Sequence, residues 1–180
     1  DTTPFLREVA REATVYKHAV AVADMTLPTH ASMFTGLYPR THGAHMSPAE
    51  PHGRPLEQQF ITITEMLAAN GYRTLGVAAN SGYLGPNFGF NQGFEVYDAR
   101  AVVSEDRSFD HAHIHLRQTV LELLDPFVST ADRELSVRQG GEITDTAAHL
   151  LSQTDGAPFF LFLNYMDAHE PYLPPEPYRS

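Results

Sequence analysis

No cysteine occurs in these 180 residues, so disulfides, thiolate metal sites and a cysteine nucleophile are excluded within the chain. No apolar run approaches the ~20 residues that a membrane-crossing helix needs. No secretory signal pattern opens the sequence, and no repeat or low-complexity segment interrupts it. Basic residues are scarce: 12 Lys and Arg face 22 Asp and Glu, a formal charge of −10 with histidine neutral. That balance disfavours nucleic acid or an anionic membrane as the main partner, because neither meets a basic surface. An anionic small substrate stays open, since local charges and metals override a net field. Compartment and oligomeric state are unknown at this level.

What is present is globular. Hydrophobic residues make up 42%, and the length suits one domain, or a large piece of one, with a real core. The chain opens on Asp1 and closes on Ser180 in "EPYLPPEPYRS". Both ends read as cut or processed, so residues 1–180 are expected to be a single domain that is a portion of a larger one.

"DTTPFLREVAREA" predicts a helix, with Thr2 or Thr3 as cap, Pro4 at the first helical position and an apolar stripe of Phe5, Leu6, Val9, Ala10 and Ala13. "TVYKHAVAVA" has β-branched, alternating character and predicts a strand over 15–22. A short helix follows Pro28 and stops at Gly36. Thr62 and Glu65 have capping-box spacing before a helix that ends at Gly71, and "RTLGVAA" is then a short strand. "NSGYLGPNFGFNQGF" reads as a surface loop. Helices are predicted over 108–124 and 141–154. "APFFLFLNYM" is a continuous apolar run, the pattern of a buried parallel strand. Alternating strands and helices indicate an α/β fold with a mainly parallel central sheet flanked by helices. Such sheets bind ligands beyond the carboxyl ends of their strands. Thr26 and "DAHEPY" both fall at such ends.

Thr26 has two readings. As a cap, its oxygen accepts a bond from an N–H of the first helical turn. As a nucleophile, its hydroxyl faces an anion held at the positive helix end, and it then needs a base or metal for activation. His30, four residues on, shares its face, and suits either contact with a transferred group or ordinary packing. Ser32 faces away. His111, His113 and His115 alternate, but on a helix alternate residues do not share a face, so they read as a solvated helix start.

"TLPTHASMFTGLYPRTHG" resembles the signature of the sulfatase family, in the alkaline phosphatase superfamily, where a Cys or Ser stands two before a proline, a basic residue two after it, and "TG" closes the helix. Three further segments agree in order: "TTPFLREVAREA", "GYRTLGVAANSGYLGPNFGFNQGFEVYD" and "PFFLFLNYMDAHEPYLPP". The resemblance spans nearly the whole chain. It implies an alkaline phosphatase-like fold, a divalent metal (Ca, Mg, Mn or Zn not distinguished) and hydrolysis of sulfate or phosphate esters on a small-molecule, glycan or lipid substrate. Carried over by position, Thr26 takes the nucleophile place and becomes a metal ligand. His30 takes the place of the basic residue and His169 that of an ester-oxygen ligand. Asp167 shapes the loop that presents His169.

The departures from the family pattern are chemical. Sulfatases oxidise Cys or Ser to formylglycine, whereas threonine carries a methyl group on its carbinol carbon and would give a ketone. No formylglycine is therefore expected, and a threonine alkoxide on a metal resembles instead the superfamily's phosphodiesterases and phosphotransferases. Near Ala79 and Asn80, many sulfatases carry a substrate-binding lysine that this chain lacks. The family's remaining metal ligands, acidic residues on a first strand and a late Asp-Asn or Asp-His pair, are expected outside these 180 residues. The fragment alone is expected to be inactive. A non-catalytic remnant that keeps the fold and binds a ligand or partner is the competing expectation.

Overall fold

Residues 3–100 and 138–169 are described by the structure, a computed structural model. Three parallel strands, β1 (Arg73–Ala78), β2 (Val96–Asp98) and β3 (Phe159–Asn164), form a sheet in the order β2-β1-β3. β1 pairs with β3 along its length, from Arg73 with Phe159 to Ala78 with Asn164, and with β2 from Leu75–Val96 to Val77–Asp98. Around it lie α1 (Pro4–Val9), α2 (Thr26–Thr35), α3 (Pro39–His42), α4 (Ile63–Ala69), α5 (Ser81–Leu84) and α6 (Gly140–Ser152), with a 3-10 turn at Pro86–Phe88. Among the described residues no helix is long and apolar enough to cross a membrane.

Alternation along the strands separates two cores. Ala78, Phe160 and Phe162 pack against Leu27, Ala31 and Phe34 of α2. Val77, Leu161 and Leu163 turn the other way, onto Ile143 and Ala147 of α6. Helices thus cover both faces, as parallel sheets require. Gly76 lies at a close approach: a Cβ there would meet the Tyr97 ring at 2.5 Å and Phe94 at 3.0 Å.

Ring contacts hold α2 to the sheet. Phe34 meets Phe94 (5.8 Å between centroids), which itself lies 6.1 Å from Phe160. His30, one turn earlier in α2, meets Phe162 at 6.0 Å, two residues further along β3. Phe34 meets Phe162 as well, at 5.0 Å, so both side chains of α2 lie over that ring of β3. The N-terminus of α6 lies at the carboxyl edge of the sheet, because its Gly140 N–H donates to Asp167, just past β3, at 2.9 Å.

Several local expectations hold. Thr62 and Glu65 form the reciprocal capping box, Gly36 closes α2 in the left-handed region at φ 69°, and the helix predicted over 141–154 is α6. Others are corrected. α1 ends at Val9, and Thr3 at its cap position makes no side-chain cap bond. Its apolar stripe finds no counter-surface among the described residues, with Phe5 73% exposed. The strand predicted over 15–22 does not form, and Val20 is 88% exposed. β-branched residues favour a pleated, half-buried surface beside a partner strand, and this segment pairs with none of the three. "NSGYLGPNFGFNQGF" is no surface loop throughout: it holds α5 and the 3-10 turn and buries Leu84, Phe88 and Phe90 beside α2. β3 is parallel as expected but only partly buried, and among the described residues β1 alone flanks it. β2 was not foreseen. The helix predicted over 108–124, with His111, His113 and His115, lies outside the described residues.

Candidate active site

Thr26 is not the cap of α2. Met25 occupies that position in extended conformation (φ −109°, ψ 149°) with no side-chain cap bond, and Thr26 is the first helical residue. The entry is tied instead by Thr29, whose hydroxyl donates to Ala23 O at 3.0 Å. Pro28, in the first turn, loses nothing by lacking an N–H, because that turn has no intrahelical acceptors. The Thr26 side chain is half-buried and hydrogen-bonds no described residue.

His30 sits one turn inside, between Phe162 and Phe90. Its Nδ1 lies 2.8 Å from Thr26 O. A carbonyl only accepts, so Nδ1 carries the proton and Nε2 is the atom left for a ligand. Burial lowers the pKa, opposed by the bond to the Thr26 carbonyl. The neutral ring offers a lone pair at Nε2; the protonated ring offers an N–H to an oxyanion.

Ser32 and His42 form a second pair, with Ser32 Oγ and His42 Nε2 3.0 Å apart in the interior. These residue types suit a nucleophile and its base, yet the geometry forbids it. Ala44 N–H donates to His42 Nδ1 at 3.0 Å, so the neutral ring's proton is on Nε2, and no lone pair faces Ser32. The pair anchors α3 to α2.

Asp167 accepts the Gly140 N–H and thereby caps α6. A Cβ at Gly140 would lie 2.8 Å from Asp167 Oδ2, so the cap needs glycine there. His169 is exposed two residues on, in a turn closed by its own N–H donating to Met166 O at 2.9 Å. The contacts tie Thr26 to His30 and Asp167 to Gly140, on α2 and α6, which cover opposite faces of the sheet; β3 links the two pairs through Phe162.

Three interactions were not read from the sequence. Arg138, 2% exposed, holds Glu142 (Nε–Oε1 2.8 Å) and Asp98 (Nη1–Oδ1 3.3 Å), which joins α6 to β2. Burial alone would raise the Asp98 pKa, but hydrogen bonds from Arg100 and the charges of Arg138 and Arg100 bring it below the ordinary value. The other two are the Ser32–His42 pair and the bond from Asn80 N–H to Asn164 Oδ1 at 3.0 Å. The Arg138–Asp98 and Asn80–Asn164 contacts join segments 40 and 84 positions apart, and no local pattern announces them.

Among the described residues no group of three His, Asp or Glu side chains is arranged to hold a metal ion. The Thr26 hydroxyl has no hydrogen-bond partner among the described residues, but Asp167 Oδ1 is committed to the Gly140 N–H of α6. These donors do not amount to the oxygen-rich shell that Ca²⁺ or Mg²⁺ takes. No curated protein matches the chain. A family model described as Sulfatase matches residues 1–180.

Proposed function

The chain belongs to the sulfatase family, a family of ester hydrolases that generally use a divalent metal ion, and from that premise we propose that it is part of a hydrolase of sulfate or phosphate esters with Thr26 as nucleophile. The observation that carries the reading is the half-buried Thr26 hydroxyl, unpartnered among the described residues, at the start of a helix packed on one face of a parallel sheet. The N–H groups of that first turn and the helix dipole favour an anionic group beside it. In the reaction Thr26 Oγ1 gives its proton to solvent and forms the new bond to sulfur or phosphorus, and the ester's bridging oxygen leaves with the electron pair of the bond it breaks and takes up a proton from solvent. Water then cleaves the Thr26 ester, which frees the acid and restores the hydroxyl. His30 Nε2 contacts a non-bridging oxygen once anion binding has protonated the ring. His169 serves the leaving or non-bridging oxygens, and Asp167 holds its loop against α6. Residues 1–180 are then one portion of the catalytic domain, and no step is assigned to a metal, whose ligands the described residues do not supply.

Threonine favours phosphoryl over sulfuryl transfer, because its secondary carbinol gives no aldehyde on oxidation. The substrate is a small-molecule, glycan or lipid ester. Aryl sulfate and aryl phosphate diester, assayed side by side with and without chelator, test the reading on the protein containing this chain. Thr26→Ala is expected to lower turnover at least 1,000-fold with an unchanged thermal midpoint, and chelator to suppress wild-type turnover. Full activity in the Ala variant would reduce Thr26 to a helix-start residue. A folded wild type inert towards both esters would favour a non-catalytic, ligand-binding role.

A further inference from the structure

The chain contains one Asp-Gly and one Asn-Gly dipeptide, Asp155–Gly156 and Asn70–Gly71. At such pairs the glycine nitrogen can attack the side-chain carbonyl of the residue before it, because glycine has no Cβ to obstruct closure of a five-membered ring. All four residues are exposed, so access to water does not separate the two pairs. Their hydrogen bonds do.

Asn70 caps the C-terminus of α4 at φ −100°. Gly71 N–H donates to Ala68 O at 3.0 Å, and Asn70 Nδ2 donates to Met66 O at 2.7 Å. The nitrogen that would attack and the nitrogen that would leave are both held by carbonyls of α4.

Asp155 lies in the turn between α6 and β3, which Ala157 N–H closes by donating to Thr154 O at 2.9 Å. Both central residues have positive φ, 50° at Asp155 and 75° at Gly156, the sign that a type I′ turn demands. Among the described residues Asp155 is the one non-glycine at positive φ, a conformation that strains a residue with a Cβ. Gly156 N–H donates to no described residue, and the Asp155 carboxylate accepts from none. Arg73 is near enough to sense that charge, but its guanidinium is bonded to Glu95 and to Gln153 O. A Cβ built on Gly156 would meet nothing within 4 Å, so the turn has room to rearrange.

We propose that Asp155–Gly156 is a site of spontaneous isomerisation to isoaspartate in the folded protein, and that the carbonyls of α4 shield Asn70–Gly71 from the corresponding deamidation. Gly156 N bonds to Asp155 Cγ and gives up its proton, and the side-chain hydroxyl of the protonated carboxyl leaves as water, which yields a cyclic imide. A second water adds to the main-chain carbonyl carbon of Asp155 and breaks its bond to Gly156 N. The main chain then runs through Cβ and Cγ, with one water lost and one regained and no oxidant or reductant. The added methylene releases residue 155 from the left-handed region. Thr26 and the ester chemistry proposed above take no part.

Peptide mapping of the protein containing this chain tests this, with an endoprotease that cleaves before aspartate but not before isoaspartate. Folded wild type, aged in buffer made with heavy-oxygen water, is expected to yield residues 145–166 increasingly as one uncut, labelled peptide. Asp155→Asn gives the sharper comparison, because asparagine also tolerates the left-handed region and the two Asn-Gly pairs then differ only in surroundings. In that variant, folded, position 155 is expected to deamidate at least tenfold faster than Asn70, since Asn70 reacts only when the end of α4 opens. In guanidinium the two rates should converge. Equal rates at both positions in the folded variant would overturn the proposal. So would folded wild type free of isoaspartate at Asp155 after the unfolded chain has converted half of its own.

Discussion

His42 is 2% exposed and neutral, with its tautomer set by a backbone N–H on one ring nitrogen and Ser32 on the other. Burial holds its pKa below 6.5, as does neighbouring His45, against a bond to the Pro28 carbonyl that raises it. His30 is shifted the same way, by burial against the Thr26 carbonyl bond. A histidine whose folded pKa is lowered stays neutral while its unfolded counterpart protonates. Stability from both residues is therefore complete above about pH 6.5 and falls as pH drops from there towards the folded values. Thermal midpoints are expected to decline between pH 7.5 and pH 5.5, and to decline less steeply in His42→Gln. An equal slope in that variant would show that other groups carry the acid sensitivity.

The elements differ in how far their own residues explain them. α4 is self-explained: Thr62 and Glu65 cap each other's backbone within one turn. β1 is not, because its middle residue is chosen by a neighbour. Gly76 is glycine because Tyr97 lies across it, held by its hydroxyl donating to Leu84 O at 2.7 Å. Adding a methyl group at 2.5 Å from that ring forces the ring or the strand to move. Gly76→Ala is expected to cost about 1–3 kcal/mol, read by urea denaturation. An unchanged midpoint would mean that Tyr97 swings away freely. α6 is intermediate: its extent over residues 140–152 is legible from its own pattern, but its cap comes from Asp167, 27 residues away.

Across the whole molecule, stability is concentrated in the two faces of the sheet and thins towards the start of the chain. α1 has no buried residue, and positions 10–22 are exposed throughout. Segments with few buried contacts open at low cost. Brief trypsin treatment is expected to cut first after Arg7, Arg11 or Lys17 and to leave the unit from α2 to β3 with its cooperative melting intact. Resistance at all three sites would show that another surface covers this segment.

By itself the sequence determined the α/β class, the capping box of α4, the glycine stop of α2, the extent of α6 and the resemblance to the family. Each of these is written in residues a few positions apart or in ordered motifs, and local sterics and hydrogen bonding act at that range. Tertiary structure decided the rest: the strand order β2-β1-β3, the failure of 15–22 to become a strand, and the displacement of the cap from Thr26 to Met25. It also decided the Asn80–Asn164 bond, which spans 84 positions. Such pairings depend on which surfaces meet once the sheet has formed. A β-branched segment records only that it would suit a sheet; whether a neighbouring strand lies within hydrogen-bonding distance is decided by the packing of the whole chain.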